Sequence, residues 1–428
     1  MTPPPHAPPA AAPLTGSPKP SGRTATLPWG VLALAAALHL LPPLLFSLFL
    51  MPPPMAEARG DFGAYYYALR LALEGGNPYE LEQLRQFSGL PLPPFFYPPP
   101  FLLTLVWSLA LPMEAGYFAM FALNALLLLG ALFLMRRSWG VDWKLAALVV
   151  ATFFPLWDNL IWGQANLLLL LPALGAMVVA ERRPQWAGAL LGVAAVIKVV
   201  PALLLLYWVV MRNWRPLVAA AFAAVGLSVL TLPLVGLDVQ FAYYAQKLLG
   251  LAAGDLKGLG LWVPITSEYN HSVVCILSHI WPGPDGFRPA GIAKLGSLAV
   301  TALLLLGWGR WVRRGCAPHA ALAALLGIAS IVTTYSWEHH LVLVLPAAVL
   351  AAHGGTSRWG FGVPYACMVF PLGLFMAVAP ALNQHLVASV LPWISVGKLL
   401  GVVVLCELCM RAHSPARAQA VDALPAGA

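Results

Sequence analysis

Apolar runs long enough to cross a bilayer recur along the whole sequence, and this constrains the fold more than any other feature. A spanning helix needs about 20 consecutive apolar residues. Runs of that order recur from Leu27 to Met410, separated by short segments that carry most of the charge. Only 9% of the 428 residues are charged and 60% are hydrophobic, against roughly 25% charged in an ordinary soluble domain. A water-soluble enzyme could not cover its surface with so little charge, and a disordered chain would not carry so much apolar bulk. Runs of this length also exclude the alternating strands of an outer-membrane barrel. The fold class is an all-α polytopic membrane protein.

The net charge of +8 raises the question of nucleic acid, but the basic residues cluster between the apolar runs, where the positive-inside rule places them. No nucleic-acid partner is expected. The five cysteines are scattered in or beside apolar stretches and form no disulfide framework.

Residues 1–27, rich in Pro, Ala, Ser and Thr, read as a disordered cytoplasmic tail, and residues 411–428 as a second one. Between them, residues 28–410 form one transmembrane domain. Lys19 and Arg23 before the first run put the N-terminus inside and residues 51–113 outside, as a long first outer loop. Within that loop the stretch from Asp61 to Gly75-Gly76-Asn77-Pro78 predicts a short helix lying at the interface, with Tyr65, Leu69, Ala72 and Leu73 on one face. The run Phe101–Leu111 predicts a half-helix too short to cross. Arg136-Arg137, Arg182-Arg183 and Arg313-Arg314 end later spans on the cytoplasmic side, and residues 186–211 predict a hairpin turning near Lys198. The total is about twelve crossings.

With that topology the polar groups not needed for anchoring collect at the outer face, where long loops usually carry function. Asp61 is either a helix N-cap or a carboxylate held as a general base, two roles that compete for the same oxygens. Gln164 and Asn166, in Trp162-Gly163-Gln164-Ala165-Asn166, either satisfy helix ends or hydrogen-bond sugar hydroxyls. Lys198 stands in Ala194-Ala195-Val196-Ile197-Lys198-Val199-Val200-Pro201, where hydrocarbon makes it costly; an anionic partner or snorkelling to the interface would explain it. Tyr335-Ser336-Trp337-Glu338-His339-His340 ends another span, and Asn270-His271 begins a further short run. A Glu-His-His group invites zinc, yet H-E-x-x-H spacing is absent, so no metal or other cofactor is expected.

Taken in order, Asp61-Phe62 with Tyr65-Tyr66, Gly75-Gly76-Asn77-Pro78-Tyr79, Phe96-Tyr97-Pro98-Pro99, Gly163-Gln164-Ala165-Asn166, Lys198-Val199-Val200-Pro201, Asn270-His271-Ser272 and Tyr335-Ser336-Trp337-Glu338-His339-His340 resemble glycosyltransferase family 87. That family includes polyprenol-phosphate-mannose-dependent mannosyltransferases. The resemblance implies a GT-C class fold and a catalytic aspartate in the first outer loop, which Asp61 matches; His340 or its neighbour matches a histidine-bearing later loop. The D-x-D or E-x-D common in other GT-C enzymes is absent at Asp61-Phe62-Gly63.

The resulting expectation is an inverting hexosyltransferase of the inner (cytoplasmic) membrane with its site facing outward. It would move a hexose, mannose above all, from a polyprenyl-phosphate donor to a lipid or envelope glycan acceptor. Asp61 and His340 are the expected catalytic pair. Lys198, His339, Glu338, Tyr335, Gln164, Asn166, Asn270, His271, Tyr65, Tyr97 and Arg59 are the expected substrate contacts. A transporter or flippase of lipid-linked sugars is the alternative; it would need polar groups continuing to the cytoplasmic side.

Overall fold

The computed structural model describes residue 37 and residues 40–51, 57–379 and 384–415. The expected tail at 1–27 lies outside the described residues, as does the C-terminal tail beyond residue 415; Arg411 and Ala412, assigned to that tail, close the last helix instead. Of the first apolar run, Leu40–Leu50 is helical. The described residues form helices and no strand.

The segment expected as a long outer loop is folded into helices: α1 (Asp61–Leu73), α2 (Leu81–Ser88) and a 3₁₀ helix over Pro99–Ala110. Helix α1 starts and stops near the expected residues. Most of its surface is covered by the rest of the protein: Phe62, Ala64, Tyr65, Tyr66, Ala68, Leu69, Leu71 and Ala72 are all buried, while Leu73 is exposed. The aromatic residues supply the reason. Tyr65 packs edge-on to Tyr97 and Phe101, while Phe62 meets Tyr66, Trp107 and Tyr117, so α1 is set in an aromatic nest.

Then follow α3 (Met113–Trp139), α4 (Trp143–Ala151) and α5 (Pro155–Ile161), the last two meeting at a 64° bend, and α6 (Asn166–Val179), α7 (Pro184–Ile197) and α8 (Arg215–Leu230). Helix α7 ends at Ile197 because Pro201 has no N–H and its ring would clash with the carbonyl of the fourth residue before it, Ile197. Lys198 takes extended angles at the break, and a 3₁₀ turn over Val200–Leu205 carries the chain back. The hairpin expected at Lys198 is therefore present. Gly188 and Gly192, four apart on α7, face α8 so closely that a Cβ at either would meet the carbonyl oxygen of Pro216 or Ala220, the close approach that small residues allow between apolar helices.

The second half comprises α9 (Val273–Ile280), α10 (Gly291–Arg313), α11 (Pro318–Val332), a 3₁₀ turn over Glu338–Val344 running into α12 (Leu345–His353), α13 (Arg358–Met368) and α14 (Gln384–Ala412). Helices α11 and α12, rich in alanine, form the centre of the bundle and are buried almost throughout. The spans Arg215–Val235 and Gly291–Arg313 bury only 11% of their apolar windows within the protein, so their Leu, Val and Phe side chains face lipid. The five cysteines are free.

Among the described residues four helices are long and apolar enough to cross a membrane: Met113–Trp139, Arg215–Val235, Gly291–Arg313 and Ser389–Ala412. Counting the bent α4–α5 pair as one span makes five. The other apolar helices have 10–17 residues; α6, with 14, is about 21 Å long, short of the roughly 30 Å hydrocarbon core. A total of about twelve crossings would have to count segments of this shorter kind.

Candidate active site

Two glycines bring the start of α1 against the turn between α5 and α6. Gly60 (φ +61°) is the residue before α1, and a Cβ there would lie 2.9 Å from both the Cα and the carbonyl oxygen of Trp162. Gly163 (φ +62°) sits so that a Cβ would lie 2.7 Å from the Cβ of Phe62. Both left-handed conformations suit glycine. The Asp61 N–H donates to the Trp162 carbonyl (3.0 Å), and the Gln164 side-chain amide then donates to Asp61 Oδ2. Gly60 occupies the N-cap and no side-chain cap bond is made there. Asp61 is thus freed from the capping role, and its second carboxylate oxygen has no protein partner among the described residues.

From Asp61 a chain of hydrogen bonds runs through the bundle. Tyr97 Oη donates to Gln164 Oε1 (2.8 Å) and accepts from Tyr65 Oη (3.1 Å). Lys198 Nζ lies 3.4 Å from Tyr97 Oη, 3.0 Å from Asn166 Oδ1 and 2.8 Å from His340 Nε2, one neighbour for each of its three N–H positions. Asn166 in turn donates to Asn159 Oδ1 (3.0 Å) and the His339 carbonyl (3.1 Å). The His339 N–H and Nδ1 lie 3.1 and 3.0 Å from Asp158 Oδ2, while Trp162 Nε1 donates to Asp158 Oδ1 (3.1 Å). Gln164 and Asn166 are buried, whereas Asp61 and Lys198 keep part of their surface accessible. The scaffold is closed and the two charged ends are reachable.

Burial pushes the Asp61 carboxyl up from its ordinary value, against the charges of His339 and Lys198, which draw it down. Burial lowers Lys198 to about 7, with Asp61 pulling it back up. His340 is held well below the usual histidine value, first by burial and then by the Lys198 charge. A raised carboxyl beside a lowered lysine is the kind of pairing found where burial and opposite charge act on the same groups.

The other expected contacts divide by position. Glu338 lies behind the site, its oxygens taken by His271 Nε2 (2.8 Å) and Lys398 Nζ (2.8 Å). Burial alone would raise the Glu338 carboxyl, but Lys398 and His271 bring it below its ordinary value. His271 Nδ1 is 3.2 Å from Ser395 Oγ. Asn270 braces loops: its amide donates to the carbonyls of Ile265 and Thr334, and its oxygen accepts from the Ser336 N–H. The Tyr335 hydroxyl donates to the carbonyls of Gly254 and Phe287, among Leu256, Ile265 and Val274. Arg59 turns away toward α3, where it pairs with Glu114 and donates to the Ser47 carbonyl. Asp61, Tyr65, Tyr97, Gln164, Asn166, Lys198, His339 and His340 come together; Arg59, Asn270, His271, Tyr335 and Glu338 do not reach that cluster through their side chains. No group of three or more His, Cys, Asp and Glu suited to a metal occurs among the described residues.

Two contributors were not among the expected contacts. Asp158, on α5, orients His339. Lys398, completely buried in α14, donates to Glu338 and to the Met368 and Phe370 carbonyls (3.1 and 2.6 Å). The signal for Lys398 was the one that singled out Lys198, a lone lysine inside an apolar run.

The bundle of apolar helices thus holds a partly accessible aspartate and a partly accessible lysine on one buried polar scaffold. The chain belongs to glycosyltransferase family 87, whose sequence model matches residues 95–346. That match includes Gln164, Asn166, Lys198, His339 and His340; Asp61 and Lys398 lie outside it. The chain is also 30% identical over 181 residues to the polyprenol-phosphate-mannose-dependent alpha-(1-2)-phosphatidylinositol pentamannoside mannosyltransferase of Mycolicibacterium smegmatis, covering 37% of this chain and 40% of that protein. No solved structure matches. None of these findings supports the transporter reading.

Proposed function

We propose that the protein transfers a hexose, mannose above all, from a polyprenyl-phosphate donor to a lipid or envelope glycan hydroxyl at the outer face of the inner membrane, with inversion at the anomeric carbon. The observation that carries this reading is the single hydrogen-bonded path from Asp61 through Gln164 and Tyr97 to Lys198 and His340. It puts a base and a cationic group in one site, and the donor named for the mannosyltransferase relative is of the kind such a site would use.

The acceptor oxygen attacks the anomeric carbon while the bond from that carbon to the phosphate oxygen breaks. The electron pair leaves with the polyprenyl phosphate, and the hydroxyl proton passes to Asp61. Gln164 holds one carboxylate oxygen and leaves the other to take the proton. Lys198 offers its ammonium to the charge that grows on the departing phosphate, and His340 steadies it. Tyr65, Tyr97 and Asn166 fix these groups by hydrogen bonds. Asp158, itself held by the Trp162 indole N–H, keeps His339 beside them.

The test is a panel of radiolabelled polyprenyl-phosphate sugars offered to the purified protein with envelope lipid acceptors. The mannose label should leave the lipid and appear in a product of opposite anomeric configuration. Loss of label to water alone, retention of configuration, or no release from any donor would refute the reading.

A further inference from the structure

A charged cavity lies at the opposite end of α6 from the candidate site. Asn166 opens α6 within the site; Val178, twelve residues on and thus about 18 Å away along the helix, lines a cavity of about 590 Å³ together with Arg137, Trp139, Glu181, Arg182 and His319. The sequence gives basic pairs at helix ends a topological role, and pairs serving only that role would be free to splay apart. Here one arginine of each pair, Arg137 near the end of α3 and Arg182 after α6, lines the same cavity. Arg137 and Arg182 supply two guanidinium groups against the carboxylate of Glu181, and none of the three takes part in an ion pair among the described residues. The His319 ring stacks on Trp139 at 5.2 Å, giving the cavity an aromatic wall.

What the cavity adjoins narrows the ligand. Leu126, Leu129 and Phe133 on α3 are 65%, 56% and 60% exposed. Their spacing of three and four residues puts them on one face of α3, and a further four residues reach Arg137. A cationic cradle thus terminates an apolar stripe that runs up the lipid-facing side of a membrane span. A free anion would use the cradle alone. An amphiphile with a phosphate head would use both.

We propose that this cavity binds an anionic phospholipid, with its phosphodiester between Arg137 and Arg182 and an acyl chain along Leu126, Leu129 and Phe133. Guanidinium groups suit the role because they bind phosphate oxygens in pairs, and basic pockets between membrane helices attract anionic headgroups. The proposal is independent of the sugar transferred and of which face is cytoplasmic.

Native mass spectrometry of the full-length protein in detergent, titrated with dioleoyl phosphatidylglycerol, tests it. The wild type should retain phosphatidylglycerol in preference to phosphatidylcholine. Arg137→Gln/Arg182→Gln should bind it about thirtyfold more weakly, the effect of losing two basic groups near a lipid headgroup. Arg313→Gln/Arg314→Gln, which removes an equal charge from the end of α10 outside the cavity, should bind as the wild type does. Equal weakening in both double variants would show a diffuse charge effect and overturn the proposal. So would unchanged binding in the first, or displacement of the lipid by millimolar inorganic phosphate.

Discussion

Two buried polar networks meet at the turn Glu338-His339-His340, and they are built to opposite ends. One side of the turn sends His340 to Lys198 in a network that ends in two partly accessible residues, Lys198 and Asp61. The other side sends Glu338 to Lys398 and His271, both completely inaccessible, with the Lys398 ammonium also held by two backbone carbonyls. The first network leaves an oxygen of Asp61 unpartnered, whereas the second spends both oxygens of Glu338 inside the protein. An ion pair sealed in this way positions a turn, and charges left reachable can meet a substrate. Two histidines adjacent in sequence to a glutamate are thus separated in role by the direction each side chain takes.

The comparison breaks most severely at Lys398. Lys398→Met strands the Glu338 carboxylate without its ammonium and should cost about 3–5 kcal/mol of stability, seen as a large fall in the thermal midpoint of the purified protein. Glu338→Gln/Lys398→Met removes both charges and should recover most of the loss. A double variant no more stable than the single one would show that the pair does not act as a unit. Lys198→Ala removes a charge from the accessible network instead. It should lower the thermal midpoint less than Lys398→Met does, because Lys198 is only partly buried and leaves no carboxylate stranded, while weakening the donor by about tenfold to a hundredfold, the range for losing one charge-assisted contact. A KM for donor that stays put would remove Lys198 from the site.

A smaller effect sharpens the packing side. Gly163→Ala adds a Cβ at a positive φ and against the Cβ of Phe62, and should cost about 1–2 kcal/mol. Because Gln164 is the next residue, turnover should fall more than that loss alone explains; a stable, fully active Gly163→Ala would contradict the account of how Asp61 is placed.

The mildest prediction concerns pH. Lys198 must be protonated to hold phosphate, and burial lowers it to about 7, so kcat/KM for donor should decline as pH rises through about 7. Asp61 must be ionised to accept a proton, and its raised pKa moves the acid limb above the ordinary carboxylate range. Lys198→Arg stays charged and should abolish the alkaline limb while keeping the acid one; an unmoved alkaline limb would assign it to another group.

The sequence disclosed which polar residues were expensive but not which way they turned. Asp61, Lys198, Gln164 and Asn166 could be read because each interrupts an apolar context or opens a predicted helix, and the break at Lys198 follows from Pro201. Arg59 was equally visible as a charge, yet its pairing with Glu114 depends on a contact between residues 55 apart. The Glu338–Lys398 pair closes across 60 residues, which is why Glu338 looked like a substrate ligand and Lys398 escaped notice. The packing on α1 was hidden for the same reason: Phe62 and Tyr65 are covered by aromatic groups from Phe95 to Phe101 and from Tyr117. Periodicity within one helix carries no record of what packs on it.

The central claim is that Asp61 removes the acceptor proton while the cationic half of the site holds the donor. Single-turnover transfer and donor affinity, measured side by side for wild type and Asp61→Asn, test it most directly. The account predicts donor affinity within a few-fold of wild type and transfer slower by about 10²–10⁴-fold, the contribution of a positioned general base. Transfer at the wild-type rate by Asp61→Asn, in protein that still binds donor, would contradict it.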